Sequence, residues 1–188
     1  MEVVEALKDI SQIEAMKKYL KEHSQRDYLL FVIGINTGLK ITELLSMKFE
    51  DVLNEDGTAK EFYSLPVKDE KFKQDIYLNT KVKEALLAYV QSFDAQRENY
   101  VFQSNKTTNS ITRQQAYRVI HNAAEAVGIV GKIGTNSMRK TFGFHAYKRG
   151  IAIALLQKHF HHATPSETLK YLGISKDEKF KTEIDVDL

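Results

Sequence analysis

The chain has 188 residues, 43% of them hydrophobic and 28% charged, a composition that supports one substantial domain with a packed core. It contains no cysteine, which excludes a disulfide framework, a thiolate zinc site and a cysteine nucleophile. No apolar run approaches the roughly 18 residues that cross a bilayer, and the mixed-charge N-terminus does not resemble a secretion signal, so we expect a cytoplasmic protein with no membrane partner.

The formal net charge of +2 conceals two regions of opposite sign. Residues 101–171, here called the basic stretch, contain ten Lys and Arg side chains against two acidic ones and carry +8, while the rest of the chain carries −6. Five of the six histidines also lie in the basic stretch. This pattern is typical of a protein that binds an anion such as a nucleic acid, but a solvated surface with sorted charges fits the charge distribution equally well.

The first third of the chain is predicted to be helical. A capping box that starts at Ser11 predicts a helix from there to residue 22. The almost uniformly apolar segment 28–35 predicts a second, buried helix that ends at Gly38. Apolar residues at helical spacing after Lys40 predict a third helix, so a tight turn separates the second helix from the third.

The middle third is predicted to contain a hairpin and a helix. Residues 62–67 and 75–78 predict two antiparallel strands, joined by an exposed charged loop that carries Lys68. A strong helical periodicity then runs from Thr80, the predicted N-cap, to residue 93. These elements predict an α+β fold that is mainly helical and has one small antiparallel sheet.

The last third is predicted to contain four helices and a tail. The first ends at Gly128, the second follows a glycine-punctuated loop over 131–137, and the third spans 151–160. Thr164 as N-cap, followed by Pro165 and Glu167, predicts the fourth helix, which carries Tyr171. The acidic tail after residue 174 is either a docking arm or disordered.

Several side chains of the basic stretch are suited to binding phosphate. Arg139 offers a planar fork for two phosphate oxygens, histidines offer further donors, and the Tyr171 hydroxyl could attack phosphorus. No acidic pair able to hold magnesium accompanies them, which disfavours metal-assisted phosphoryl transfer. A hydrolase with a transition metal on His159, His161 and His162 is an alternative. Because neighbouring residues of a helix point about 100° apart, we do not expect these histidines to hold a metal. We expect no other cofactor either.

The order and spacing of three segments resemble the tyrosine recombinase, or phage integrase, family. Residues 37–45 resemble the first motif of that family, and residues 136–142 resemble the second. The pair His161 and His162, followed nine residues later by Tyr171, resembles the third. The resemblance covers residues 11–174. It implies an integrase-type catalytic domain over 1–174 with an acidic C-terminal tail over 175–188, and we expect the family's N-terminal core-binding domain to be absent.

The resemblance implies site-specific recombination of double-stranded DNA. Tyr171 would attack a DNA phosphate and form a 3′-phosphotyrosyl intermediate, with Lys68 as the general acid that protonates the leaving oxygen. Arg139 and His162 would stabilise the phosphate oxygens. The protein is expected to be a monomer when free and a homotetramer on DNA, linked by exchange of C-terminal tails. Three basic side chains are predicted to contact DNA: Arg113, Arg118 and Lys140.

Two catalytic positions depart from the family pattern. Lys40 stands where the first motif has an arginine, and it supplies charge without the fork that holds two oxygens. Asn136 stands where the second motif begins with a histidine, and an amide cannot carry a proton at neutral pH. The alternative hypothesis is therefore a catalytically impaired relative that acts as a DNA-binding or regulatory protein.

Overall fold

A computed structural model describes residues 3–92, 94–175 and 185–187. Its regular elements, in chain order, are α1 (Ile10–His23), α2 (Gln25–Thr37), α3 (Ile41–Ser46), α4 (Phe49–Val52), β1 (Phe62–Ser64), β2 (Asp75–Tyr77), α5 (Thr80–Gln91), α6 (Arg113–Ala126), α7 (Thr135–Lys148), α8 (Ile153–Phe160) and α9 (Pro165–Leu172). A single 3-10 turn lies between the two strands, at Glu70–Phe72. The prediction of a mainly helical fold with a small antiparallel sheet is confirmed.

Helix α2 lies at the centre of the larger hydrophobic core. Leu30, Phe31 and Ile33 are fully buried, and the helix packs against α1, α5 and α7. Gly34 lets α7 approach closely, because a Cβ atom at this position would lie 2.5 Å from the Met138 sulfur. The N-terminal half of α7 is therefore held tightly against α2.

A second, smaller core joins α7, α8 and α9. It consists of Phe144, Leu156, Phe160, Leu172 and Ile174. The approach of the helices is again close, since a Cβ atom on the α7 glycine at position 143 would lie 2.5 Å from Leu172 and 2.7 Å from Phe160. Burial of these side chains stabilises the docked position of α9, by roughly 1.5–3 kcal/mol for each large apolar side chain.

The hairpin is shorter than the sequence predicts. Each strand has three residues, and the pairing runs from Phe62 opposite Tyr77 to Ser64 opposite Asp75. Pro66 explains the shortening, because proline has no N–H to donate to the ladder. The loop between the strands is exposed, as predicted.

Two helices begin at a different cap from the one predicted. Asp9 caps α1 by accepting hydrogen bonds from both the backbone N–H and the hydroxyl of Ser11, each at 2.8 Å. Asn79 caps α5, one residue before the predicted Thr80. In both cases a residue one or two positions upstream supplies the cap, and Asp and Asn are among the strongest N-cap residues.

Two predicted elements are only partly described by the structure. The helix predicted from Thr80 ends at residue 93, which lies outside the described residues, as do residues 176–184 and 188 of the predicted tail. Within the described ranges, no helix is long and apolar enough to cross a membrane.

Candidate functional site

Helix α9 presents Tyr171 to the first turn of α7. The helix begins as predicted, with Thr164 accepting a hydrogen bond from the backbone N–H of Glu167 at 3.1 Å. The Tyr171 hydroxyl donates to the Asn136 side-chain oxygen at 2.9 Å. Asn136 therefore lies at the start of a helix and not in the predicted loop, because α7 already begins at Thr135.

The environment of Tyr171 keeps its hydroxyl protonated. Burial raises the pKa of Tyr171, while the Arg139 charge and the hydrogen bond to Asn136 oppose this rise. The phenol is consequently oriented by Asn136, and its oxygen lies next to a fixed positive charge. This arrangement suits a nucleophile that is activated only when its proton leaves during attack.

Arg139 joins the three motifs through main-chain carbonyl groups. Its side chain is only 8% exposed, and it donates to the Gly38 oxygen at 2.6 Å and to the Phe160 oxygen at 3.3 Å. Gly38 ends α2 at the first motif, and Phe160 ends α8 just before the third motif. A guanidinium group has five N–H donors, so Arg139 retains donors for a phosphate group. Burial lowers the pKa of Arg139, and the nearby Tyr171 and Glu43 raise it.

His162 packs against the tyrosine ring. The two ring centroids lie 5.0 Å apart, with the planes at 69°. His162 Nδ1 lies 2.9 Å from the Thr168 hydroxyl, and this contact fixes the orientation of the imidazole ring. Nε2 is the nitrogen on the opposite side of the ring. Burial lowers the pKa of His162. The structure thus brings Tyr171, Asn136, Arg139 and His162 together.

Lys40 and Lys68 lie outside this cluster. Both side chains are exposed, and neither ammonium group makes a hydrogen bond or ion pair with any residue that the structure describes. The backbone N–H of Lys40 donates to the Glu43 carboxylate at 2.7 Å, which fixes the turn before α3. Lys68 lies in the exposed loop between β1 and β2. Their catalytic roles remain predictions.

The three predicted DNA-contacting residues have different environments. Arg113 and Arg118 are exposed on α6. Lys140 is only 8% exposed, and its ammonium group donates to the Val4 oxygen at 2.8 Å and lies 5.0 Å from the centroid of the Tyr171 ring. Burial lowers the pKa of Lys140. The predicted DNA contact of Lys140 would use one of the two other N–H donors of this ammonium group.

An extended N-terminal segment over residues 3–9, here called the N-terminal strap, supports the site and was missed by the sequence analysis. The Leu7 N–H donates to the Thr141 hydroxyl at 2.8 Å, and the Leu7 oxygen lies 2.8 Å from His145 Nε2. Lys8 donates to the Gly173 oxygen, at the end of α9, also at 2.8 Å. The strap carries no periodicity that could have revealed these contacts.

The three histidines of the metal hypothesis have separate surroundings. His159 Nε2 lies 2.8 Å from the Thr37 oxygen, and its Nδ1 lies 3.3 Å from the Gln74 amide nitrogen. His162 contacts Thr168, and His161 is exposed. Across the described ranges, no group of three His, Cys, Asp or Glu side chains is placed to hold a metal ion. This geometry disfavours the metal-hydrolase alternative.

Comparison with known sequences identifies the family of the chain. The model of the phage integrase family matches residues 6–178. Over 177 residues the chain is 37% identical to the probable integrase/recombinase YoeC of Bacillus subtilis strain 168, a match that covers 94% of this chain and 93% of YoeC. A tyrosine recombinase of Pseudothermotoga lettingae is 26% identical over 170 residues, which cover 90% of this chain and 57% of that protein. The chain therefore belongs to the phage integrase family.

Solved structures share the fold. The XerA recombinase superposes with a TM-score of 0.74 at 18% identity, and the match covers 93% of this chain and 61% of that one. The Tn1549 transposon integrase, in complex with circular intermediate DNA, superposes with a TM-score of 0.69 at 17% identity over 90% of this chain and 63% of that one. The chain thus spans nearly all of YoeC but less than two thirds of these recombinases.

Proposed function

We propose that this chain is the catalytic domain of a site-specific recombinase that cuts and rejoins double-stranded DNA through a 3′-phosphotyrosyl intermediate. The observation that carries the proposal is the hydrogen bond from Tyr171 to Asn136, next to Arg139, which the carbonyl groups of Gly38 and Phe160 hold in place. Relatives named as integrases and recombinases support it, as do the DNA complexes among the structural neighbours. Because its substrate is DNA, we place the protein in the cytoplasm.

The proposed reaction uses each residue of the cluster. The Tyr171 oxygen attacks phosphorus as its proton is lost to water, and the bond from phosphorus to the 5′ oxygen breaks. Lys68 protonates that oxygen once DNA draws the exposed loop inwards. Arg139 and His162 donate to the non-bridging oxygens as negative charge develops, and Lys40 adds a further positive charge. The phosphotyrosine retains the bond energy, so a second strand can displace the tyrosine without a cofactor.

A covalent adduct tests this proposal. The substrate is a duplex selected from a random pool by its binding to the protein and then nicked, so that the short cleaved fragment diffuses away. Wild-type protein is expected to form an adduct that survives denaturation, and Tyr171→Phe should form none while it binds the duplex equally well. Equal adduct formation by the two proteins would refute the role of Tyr171.

A second candidate is a DNA-binding relative with little cleavage activity. Two observations favour it: the Lys40 ammonium group has no partner within the described residues, and Asn136 can orient Tyr171 but cannot accept its proton. The variant with Lys40→Arg and Asn136→His should then cleave about 10²-fold faster than wild type. If the double change does not increase the cleavage rate, the wild-type site is not impaired at these two positions.

For the assembly, we propose tetramers on DNA and monomers in its absence, with a catalytic domain over 1–174 and a linking tail over 175–188. A groove of about 790 Å³ runs between α1, β2, α7 and α8. Its lining includes exposed apolar side chains, which are Ile10, Tyr77, Ile151 and Leu155. The charged residues of its lining are three basic ones, Lys17, Lys81 and Arg149, and two acidic ones, Glu14 and Asp75. This small excess of positive charge suits the tail, which carries a net charge of −2.

Removal of the tail tests this assembly. A chain truncated after residue 174 should bind one DNA site with normal affinity but fail to form the larger complex in sedimentation measurements. Formation of the same large complex by truncated and complete chains would show that the tail does not link the protomers.

A further inference from the structure

We propose that His161 is an additional phosphate-binding residue, which donates a hydrogen bond to a non-bridging oxygen next to Arg139. The inference rests on the proposed function and adds a residue to the same site. Neither the charge pattern nor the three motifs gave His161 this role. Three features of the structure lead to it: the backbone conformation of His161, a cavity lined by His161 and Arg139, and the hydrogen bonds of the neighbouring histidines.

The backbone at His161 adopts a conformation that favours glycine. Its φ is 58° and its ψ is 38°, in the left-handed region. The N–H groups of His161 and His162 close the end of α8 with bonds of 3.2 and 3.0 Å to the carbonyl groups of Lys158 and Gln157. A histidine carries an energetic cost in this conformation that glycine does not.

Helix α9 ends in the same way and supplies a comparison within the chain. Gly173 has a φ of 68°, and its N–H and that of Ile174 bond to the carbonyl groups of Lys170 and Leu169 at 3.1 and 3.0 Å. Helix α2 also ends at a glycine with a φ of 66°. Glycine thus occupies the left-handed position at the ends of α2 and α9, whereas histidine occupies it at the end of α8. Strained residues of this kind concentrate at functional sites.

A small cavity is lined by both His161 and Arg139. Arg139, Glu43, Gln74 and His161 are among its lining residues, and its volume of about 10 Å³ is close to that of one water molecule or one oxygen atom. A non-bridging phosphate oxygen fits this space. Arg139 and His161 both carry N–H groups that can donate to an oxygen in this cavity, while the Glu43 carboxylate in the same lining opposes the binding of an anion.

His161 is the histidine of this region whose ring remains available. The rings of His159 and His162 bond to Thr37 and Thr168. Among the described residues, none makes a hydrogen bond with the exposed His161 ring. An imidazole retains an N–H donor in either protonation state, so His161 can donate a hydrogen bond to a phosphate oxygen.

Three variants separate the side chain from the strain. His161→Gly should raise Tm by about 2–4 °C, because the left-handed conformation costs glycine nothing, and should slow cleavage by about 100-fold. His161→Ala should lose as much activity without gaining stability. His161→Asn, which tolerates this conformation and keeps an N–H donor, should regain part of the rate. The Kd for the duplex should change by less than about threefold, since one phosphate contact among many is lost.

The outcomes are decisive in both directions. A stabilised His161→Gly protein that cleaves at the wild-type rate would show that the imidazole has no role. If wild-type protein forms no adduct at all, the proposed function fails, and NMR then tests the phosphate contact alone. On addition of the duplex, the ring signals of His161 should shift while those of His23 on α1 stay in place. Unchanged His161 signals would overturn the inference.

Discussion

Arg139 connects the site at the level of single residues. Its guanidinium group bonds to one carbonyl oxygen at the end of α2, 101 residues away in sequence, and to another at the end of α8, 21 residues away. One planar group with several fixed donors can make both bonds and still face a phosphate. The position of the arginine is therefore set by the fold before any DNA binds, which is the preorganisation that electrostatic catalysis needs.

Replacement of Arg139 by lysine should damage both stability and cleavage. A single ammonium group cannot replace the fork, so a buried carbonyl group would lose its partner, at a cost of about 1–3 kcal/mol in the free energy of unfolding. Cleavage should fall by about 10²-fold or more. Urea titration and adduct formation measure the two effects, and Arg149→Lys, at the exposed end of the same helix, is the control. A variant at Arg139 that matches this control in both assays would contradict the account.

The histidines near the site should make stability depend on pH. Burial lowers the pKa of His159 and of His162 below the ordinary value of 6.5. As the pH falls, these histidines take up protons more readily in the unfolded chain than in the folded chain. The stability that comes from keeping them neutral is therefore complete above pH 6.5 and is lost as the pH falls through the lowered folded-state pKa. We expect a decline in Tm below about pH 6.5 that is shallower in His159→Gln. Parallel curves for the two proteins would count against this origin.

The residues of the site differ in how far the sequence could predict them. Tyr171 and His162 lie within one short segment, so their relation is visible as a spacing, and the Thr164 cap fixes the helix that carries the tyrosine. Lys140 shows where prediction from the sequence fails. Its partner Val4 lies 136 residues away, and only the folded chain reveals that this basic side chain is directed inwards.

The N-terminal strap is the element that ties the nucleophile helix to the rest of the domain. It contacts α7 through Leu7 and the end of α9 through Lys8. Because α9 has only eight residues, its position depends on such contacts and on the small core beneath it. The strap therefore positions Tyr171 without contact with the reacting atoms.

Loss of the Lys8 contact should loosen α9. In Lys8→Met the side chain keeps its apolar length but loses the hydrogen bond to Gly173 and the contact between its ammonium group and the Phe144 ring. We expect faster hydrogen exchange in α9, a loss of about 0.5–1 kcal/mol and a several-fold slower cleavage. Lys18→Met, at an exposed position of α1, is the control. Unchanged exchange in α9 would show that the strap does not hold this helix.

Elements were predictable where local chemistry determines them. The start of α9 follows from Thr164 and Pro165, and the glycine at the end of α2 follows from its own conformational freedom. Helix α4 was not predicted, because its first N–H groups bond to the carbonyl groups of Asn99 and Arg97, almost fifty residues away. No pattern within four residues can show such a partner.

The distribution of charge is a property of the whole molecule. The basic stretch forms α6 to α9 and includes every residue of the proposed site apart from Lys40 and Lys68. The remainder of the chain is acidic. A net charge of +2 is therefore compatible with one strongly positive face, which is how a nearly neutral protein can bind DNA.

DNA binding should weaken steeply with salt, and the exposed arginines of α6 should set part of the slope. Each phosphate contact contributes about 0.9 to the slope of log K against log salt, so Arg118→Gln should reduce the slope by about one. Lys60→Gln is the control, because the Lys60 ammonium group already bonds to the Glu50 oxygen at 2.8 Å. An Arg118 variant with the slope of wild type would place the DNA elsewhere.

The chemistry of the cut DNA ends tests the central claim most directly. Attack by Tyr171 on phosphorus predicts a tyrosine joined to the 3′ phosphate and a free 5′ hydroxyl group on the released strand. A polynucleotide kinase should label that 5′ end without prior phosphatase treatment, and mass spectrometry should find the nucleotide on the peptide that contains Tyr171. A 5′ phosphate on the released strand, or a nucleotide attached to another residue, would contradict the proposed mechanism.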